Sequence, residues 1–104
     1  MIERKPFTQK QFTINDLAHL LNTNRNYLSQ IINDYYKTNF NNYINDLRIK
    51  EARKMLISSD YSYYSIEGVG EAVGFHSKAT FNTAFKKFTG VTPSFYKENA
   101  EKFE

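Results

Sequence analysis

The sequence predicts an all-α fold of two three-helix units joined by a long bridging helix. Apolar residues recur every three or four positions, for example at Ile14, Leu17 and Leu21, which is the period of an α-helix. No stretch alternates apolar and polar residues between hairpin turns, so strands are not expected. The chain has two prolines and four glycines in 104 residues, so most of it is free of helix breakers. A chain of this length holds one domain, or two very small units that share a core.

Capping and turn residues divide the chain into helices. The predicted helices run over 14–21, 24–36, 40–58, 66–73, 78–88 and 93–100. Four begin after a residue whose side chain can cap the first turn, namely Thr13, Ser65, Ser77 and Thr92. Three end at residues that tolerate a left-handed backbone, namely Asn22, Gly74 and Gly90. We assign 1–58, with the bridging helix over about 40–58, to the first unit and 59–104 to the second; a short N-terminal piece, 2–5, precedes Pro6.

An internal repeat is the most informative feature of the sequence. Residues Ile14, Leu17, Ala18, Leu21, Leu28 and Ile32 match, 52 or 53 positions later, Ile66, Val69, Gly70, Val73, Phe81 and Phe85. Each copy consists of a short helix, a tight turn, a second helix and the start of a third. The small residue inside the first helix, Ala18 or Gly70, lets the two helices cross closely. This is the helix-turn-helix pattern, whose second helix enters the major groove of DNA.

The distribution of charge adds to this interpretation. A net charge of +3 is by itself a weak indication of a polyanionic partner. However, no acid occurs between Asp16 and Asp34 or between Glu71 and Glu98, which are the segments that hold the second helix of each repeat. We therefore expect two surfaces without negative charge, with ordinary solvated faces as the alternative. Arg48, in the bridging helix, is expected to hold that helix by pairing with a carboxylate.

The second repeat resembles the signature of AraC/XylS-type transcription regulators. In that family an apolar helix ends in Gly-Phe. It is followed by Ser, by a Phe-rich helix with paired basic residues, by Gly-x-Thr-Pro and by Tyr with a basic residue after it. The matching residues here are Gly74, Phe75, Ser77, Phe81, Phe85, Lys86, Lys87, Gly90, Thr92, Pro93, Tyr96 and Lys97. The first repeat is similar at Asp16-Leu17-Ala18, at Tyr27-Leu28-Ser29 and at Arg48. The resemblance covers about 12–98. It implies two homeodomain-like helix-turn-helix units that place recognition helices in successive major grooves of double-stranded DNA.

The helical period and the resemblance together select candidate DNA-contacting residues. The base-reading candidates are Arg25, Asn26, Ser29, Gln30 and Asn33 in the first recognition helix and Lys78, Ala79, Asn82 and Thr83 in the second. Asparagine and glutamine can pair with adenine, and serine can bond to either kind of base. The phosphate-contacting candidates are Ser77, Lys86, Lys87 and Thr92. The alternative is a solvated face for each helix, and helix capping alone for the serine and the threonine.

Three departures from the family pattern carry expectations. Gly68 and Gly70 stand where the family has Ala and Ile, which costs about 1 kcal/mol of helix stability per glycine relative to alanine. Gln30 and Thr83 stand where many members have Arg, so both recognition helices lack a long cation that could bind guanine. The family's first helix is largely missing before Pro6, which suggests a DNA-binding end taken from a longer regulator.

Composition argues against other classes of function. The sequence has no Cys and two His, so disulfides and a closed zinc site are not expected. It contains neither a Gly-rich phosphate loop nor a nucleophile–base signature, so we expect no enzyme activity and no cofactor. The alternative function is a helical protein-interaction or oligomerisation module without DNA readout.

The expected partner is double-stranded DNA. The family resemblance also implies contact with RNA polymerase, activation of transcription in a bacterium, and a sensor or dimerisation domain outside this chain. No apolar run approaches the roughly 20 residues that cross a bilayer. We therefore expect no membrane contact by this segment and a cytoplasmic location, or the cytoplasmic face if the full-length protein is a membrane-anchored sensor.

Overall fold

The computed structural model describes residues 5–100, and every regular element in that range is helical. The α-helices are α1 (Ile14–Leu20), α2 (Arg25–Tyr36), α3 (Phe40–Ile57), α4 (Ile66–Ala72), α5 (Lys78–Thr89) and α6 (Pro93–Glu98). The predicted all-α fold is confirmed, and each helix begins and ends within two residues of its predicted bounds. Residues 2–4 of the predicted N-terminal piece lie outside the described residues. The sequence does not predict two short 3-10 turns, Pro6–Thr8 and Ser59–Tyr61. None of the helices within 5–100 combines the length and apolar character needed to cross a bilayer.

Side-chain caps determine where the helices begin. The hydroxyl of Thr13 accepts from the N–H of Asp16 at 3.1 Å, and the N–H of Thr13 donates to the Asp16 carboxylate at 2.9 Å. Ser77 and Thr80 form an equivalent capping box at the start of α5. The predicted turn residues all have positive φ angles: Asn22 at 55°, Gly74 at 111° and Gly90 at 86°. The local signals thus act as the sequence indicates.

Two hydrophobic clusters form the interior, one in each unit. The first contains the buried residues Phe7, Phe12, Leu17, Ala18, Leu28, Ile32 and Ile44. The second contains Ile49, Ala52, Met55, Leu56, Val69, Val73, Phe75, Phe81, Ala84, Phe85 and Tyr96. The bridging helix α3 contributes to both clusters, with Ile44 in the first and its buried apolar residues after Arg48 in the second. Because one helix enters both cores, it connects the two recognition helices through packed side chains.

Gly70 allows α4 and α5 to cross closely, as the repeat predicts. A Cβ atom at position 70 would lie 2.6 Å from both Cγ and Cδ2 of Phe81. The matching residues of the first unit are Ala18 and Leu28, which are buried in the first cluster. The unit with the smaller residue in its first helix, Gly70, therefore has the larger residue in its second helix, Phe81.

The segment 5–12, here called the N-terminal strap, connects α3 to the core of the first unit. It buries Phe7 and Phe12. Arg48 is 8% exposed and donates from Nε to the carbonyl oxygen of Phe7 at 2.6 Å and from Nη2 to that of Gln9 at 2.9 Å. The prediction that Arg48 pairs with a carboxylate is therefore wrong. Its guanidinium instead supplies the donors that the carbonyl groups of irregular, buried backbone need. Burial lowers the pKa of the guanidinium from its ordinary value.

Gly74 lies where the strap, α3 and the second unit meet. Its φ of 111° disfavours any residue with a side chain. A Cβ atom there would also lie 2.8 Å from the carbonyl oxygen of Thr8 and 2.8 Å from Nε of Arg48. The turn of the second helix-turn-helix unit is thus in direct contact with the strap of the first.

Candidate DNA interface

The two recognition helices present their predicted base-reading residues at the surface. In α2, the core side holds Leu28 and Ile32, and Ser29 is partly buried. The exposed candidates of α2 are Arg25, Asn26, Gln30 and Asn33. In α5, Asn82 is partly buried, and the exposed candidates are Lys78, Ala79 and Thr83. The structure thus brings each predicted set together on one helix, and base reading itself stays a prediction.

One candidate in α2 is bonded to its own helix. The side-chain amide of Asn33 donates to the carbonyl oxygen of Ser29 at 3.0 Å. At the other end of the helix, Asn24 accepts from the N–H of Tyr27 at 2.8 Å and so determines where α2 begins. Arg25 therefore lies in the first turn of α2, and the local bond of Asn33 uses one of its two side-chain N–H groups.

The surface of α5 is not free of negative charge, contrary to the expectation from the acid-free windows. The Nζ atom of Lys78 lies 3.3 Å from a carboxylate oxygen of Glu67 in α4. In the sequence, Glu67 lies outside the window. The helix-turn-helix fold nevertheless places α4 beside the start of α5, which brings this carboxylate to a base-reading candidate.

Ser77 and Thr92 both cap helices. The hydroxyl of Ser77 accepts from the N–H of Thr80 at 3.1 Å, and the hydroxyl of Thr92 accepts from the N–H of Phe95 at 3.2 Å. Capping accounts for both hydroxyl groups. A role for either residue in phosphate binding stays a prediction, and it would use backbone N–H groups of the first helical turn.

The two lysines near the end of α5 differ in their surroundings. Lys86 and Lys87 are both exposed. The Nζ atom of Lys87 donates to the side-chain oxygen of Asn42 in α3 at 3.0 Å and lies 5.5 Å from the ring centroid of Phe88. Lys87 is therefore directed toward α3 by its bond to Asn42.

Sequence reasoning missed two asparagines of α3 that lie beside the second recognition helix. Asn42 and Asn45 line a cleft of about 380 Å³ between α3 and α5, together with Ala79, Thr83 and Lys87. The asparagine-rich stretch 39–45 is a visible signal in the sequence. However, only the fold shows that this stretch faces α5. Within 5–100, no group of three or more His, Asp or Glu side chains is placed to hold a metal ion.

The structure has two helix-turn-helix units that share a bridging helix, and each unit has a polar recognition helix at its surface. This arrangement defines the class of double helix-turn-helix DNA-binding domains. Comparisons with known proteins agree. A family model described as a helix-turn-helix domain matches residues 17–99. The chain is 32% identical over 87 residues to RafR, the raffinose operon transcriptional regulatory protein of Pediococcus pentosaceus; the match covers 84% of this chain and 30% of RafR.

Solved structures give the same result. The C-terminal domain of AraT, a response regulator from Geobacillus stearothermophilus, superposes with a TM-score of 0.74 at 30% identity, covering 91% of this chain and 81% of that one. The DNA-binding domain of AdpA, solved with a target DNA, shares the fold with a TM-score of 0.77 at 20% identity, over 96% of this chain and 87% of that one. The chain belongs to the AraC-type helix-turn-helix family. It is a DNA-binding domain of the kind found in transcription regulators, which are not enzymes.

Proposed function

We propose that α2 and α5 enter successive major grooves on one side of a DNA duplex and read its sequence. The observation that carries this proposal is that the helix-turn-helix occurs twice, each time with the polar side of its second helix exposed, around a helix common to both cores. Recognition helices that act as a pair contact sites about 10 bp apart, one turn of B-DNA. We retain 58/59 as the boundary between the two reading units.

The exposed side chains suggest the kind of sequence that is read. We assign base contacts to Arg25, Asn26, Ser29, Gln30, Asn33, Lys78, Ala79, Asn82 and Thr83. Asparagine and glutamine can donate to and accept from adenine, and the methyl group of Thr83 or Ala79 can contact that of thymine. We therefore expect a preference for A·T base pairs. We assign phosphate contacts, which position the domain without reading sequence, to Ser77, Lys86, Lys87 and Thr92.

We further propose that the chain is the DNA-binding end of a longer bacterial regulator that acts in the cytoplasm. The chain spans 30% of the length of RafR, which supports the presence of another domain in the whole protein. That domain would sense a signal or form a dimer. The family membership supports activation of transcription through contact with RNA polymerase.

Selection of bound sites from a random pool of duplexes tests sequence reading directly. We expect a motif with two preferred segments about 10 bp apart. Fluorescence anisotropy at two salt concentrations should then show an affinity that falls as salt rises, because phosphate contacts release counterions. Failure to bind duplex DNA at low salt would contradict the proposal and favour a protein-interaction module.

Variants separate base reading from positioning. Gln30→Ala should relax the preference at particular base pairs, at a cost of about 1–3 kcal/mol if the contact is bidentate. The double variant Lys86→Ala/Lys87→Ala should weaken binding to all duplexes alike and flatten the salt dependence. Lys54→Ala is the matched control, since Lys54 is an exposed lysine of α3 that has no assigned contact. A change in base preference in the lysine variant would refute the assigned roles.

A further inference from the structure

We propose a third DNA contact, in which the cleft between α3 and α5 binds a backbone phosphate of the segment between the two major-groove sites. The inference rests on the proposed function, because it requires α2 and α5 to lie on one duplex. It adds two residues, Asn42 and Asn45, that neither the repeat nor the family signature selects.

The position of the cleft is the first argument. It is lined by Asn42 and Asn45 of α3 and by Ala79, Thr83 and Lys87 of α5. Because Ala79 and Thr83 are base-reading candidates, the cleft borders the side of α5 that is proposed to face DNA. When α5 lies in the major groove of a duplex, we therefore expect one sugar-phosphate strand to run beside this cleft.

The path of the chain is the second argument. Helix α2 ends at Tyr36 and α3 begins at Phe40, so the start of α3 lies directly after the first recognition helix. The same end of α3 lines the cleft beside the second recognition helix. The cleft thus borders α5 and the end of α3 that follows α2, and there we place the backbone that connects the two major-groove segments.

The chemistry of the cleft suits an anion. Nζ of Lys87 donates to the side-chain oxygen of Asn42 at 3.0 Å, and Nη1 of Arg48 donates to the side-chain oxygen of Asn45 at 3.3 Å. Because each of these oxygens accepts from a cation, the side-chain NH₂ groups of Asn42 and Asn45 can donate to a bound phosphate. Asparagine and lysine donors commonly bind phosphate oxygens. Among the described residues that line the cleft, none carries a carboxylate.

A protein–phosphate double-mutant cycle tests the contact. The probe is the duplex selected by the wild-type chain, in which single phosphates between the two preferred segments are replaced by uncharged methylphosphonates. For the wild type, we expect replacement at one or two adjacent positions to weaken binding about tenfold, the size of a hydrogen bond to a charged group. Asn42→Ala and Lys87→Ala should each bind the unmodified duplex more weakly and lose sensitivity to that same phosphate.

Controls make each outcome decisive. Asn41→Ala is the matched control, since Asn41 is an exposed neighbour on α3 that does not line this cleft, and it should keep the full sensitivity. If Asn42→Ala does not fold, Asn45→Ala tests the same phosphate from a second residue of the cleft that has no other assigned DNA contact. The inference is overturned if the variants keep wild-type sensitivity to every replaced phosphate, or if they change base preference between the segments instead. If the wild type selects no motif, the proposed function fails first.

Discussion

Replacing Gly70 by alanine sets two opposing effects against each other in α4. Alanine stabilises the interior of a helix by about 1 kcal/mol relative to glycine. The new methyl group, however, would lie 2.6 Å from two ring carbons of Phe81, which is 1% exposed. Carbon atoms in contact are separated by about 3.5–4.0 Å, so the ring must move by about 1 Å. Overpacking of this kind costs about 1–3 kcal/mol. We expect a net loss of about 1 kcal/mol of unfolding free energy.

The first unit indicates how the clash can be relieved. It has Ala18 and Leu28 where the second has Gly70 and Phe81. Phe81→Leu alone leaves a cavity in the second cluster and should cost about 1–2 kcal/mol. In the double variant Gly70→Ala/Phe81→Leu the methyl group fills part of that space. The two losses should therefore not add, and the coupling free energy should be about 1–2 kcal/mol in favour of the double variant.

Urea unfolding followed by circular dichroism measures all four corners of this cycle. Gly68→Ala is the control in the same helix, because its methyl group would meet only the capping hydroxyl of Ser65 at 3.1 Å and the ring of Tyr64 at 3.6 Å. It should keep most of the propensity gain. Additive losses within about 0.5 kcal/mol would refute the steric explanation. So would a Gly70→Ala variant more stable than the wild type.

Two further variants test contacts that the sequence does not reveal. Glu67→Gln removes the carboxylate beside the base-reading candidate Lys78, so the affinity for the selected duplex should rise in an anisotropy titration; an unchanged affinity would mean that Lys78 does not contact DNA. Arg48→Met leaves the carbonyl oxygen of Phe7 without a donor, at about 1–3 kcal/mol, and that of Gln9 with only the N–H of Phe12, so it should lower the thermal midpoint. Arg48→Lys should not restore it, because lysine lacks the planar fork that reaches both oxygens; full restoration by lysine would contradict this geometry.

Local signals explain why the helices could be predicted from the sequence. Thr13 and Ser77 cap helices through residues three positions away, and Asn22 turns the chain with its own backbone. Such interactions lie within one turn, so the sequence contains both partners side by side. Depth of burial, by contrast with the helix boundaries, could not be predicted from local signals. The matched residues Leu21 and Val73 are 57% and 0% exposed, because burial depends on which distant element packs over each repeat.

Contacts between elements explain what could not be predicted at the site. The partner of Lys78 is Glu67, which belongs to the neighbouring helix and lies outside the acid-free window. The partner of Lys87 is Asn42, 45 positions away in the chain. A window without acids describes consecutive residues of the chain, whereas the proposed DNA-binding surface is assembled from residues that are distant in the sequence. The residues assigned to the site stay a prediction, and their electrostatic surroundings could not be predicted from the sequence.

The junction at Arg48 and Gly74 limits how the two units can move relative to each other, which bears on the proposed binding of both to one duplex. Arg48 binds the strap of the first unit, and its Nε lies 2.8 Å from where a Cβ at position 74 would be, in the turn just before α5. A rotation of the second unit relative to the first would disturb the close packing of Gly74 against the carbonyl oxygen of Thr8 and Nε of Arg48. Because packed interiors resist such displacement, the separation of α2 and α5 is determined by the fold. In the proposed complex, a domain built in this way selects the spacing between the two DNA segments as well as their sequences.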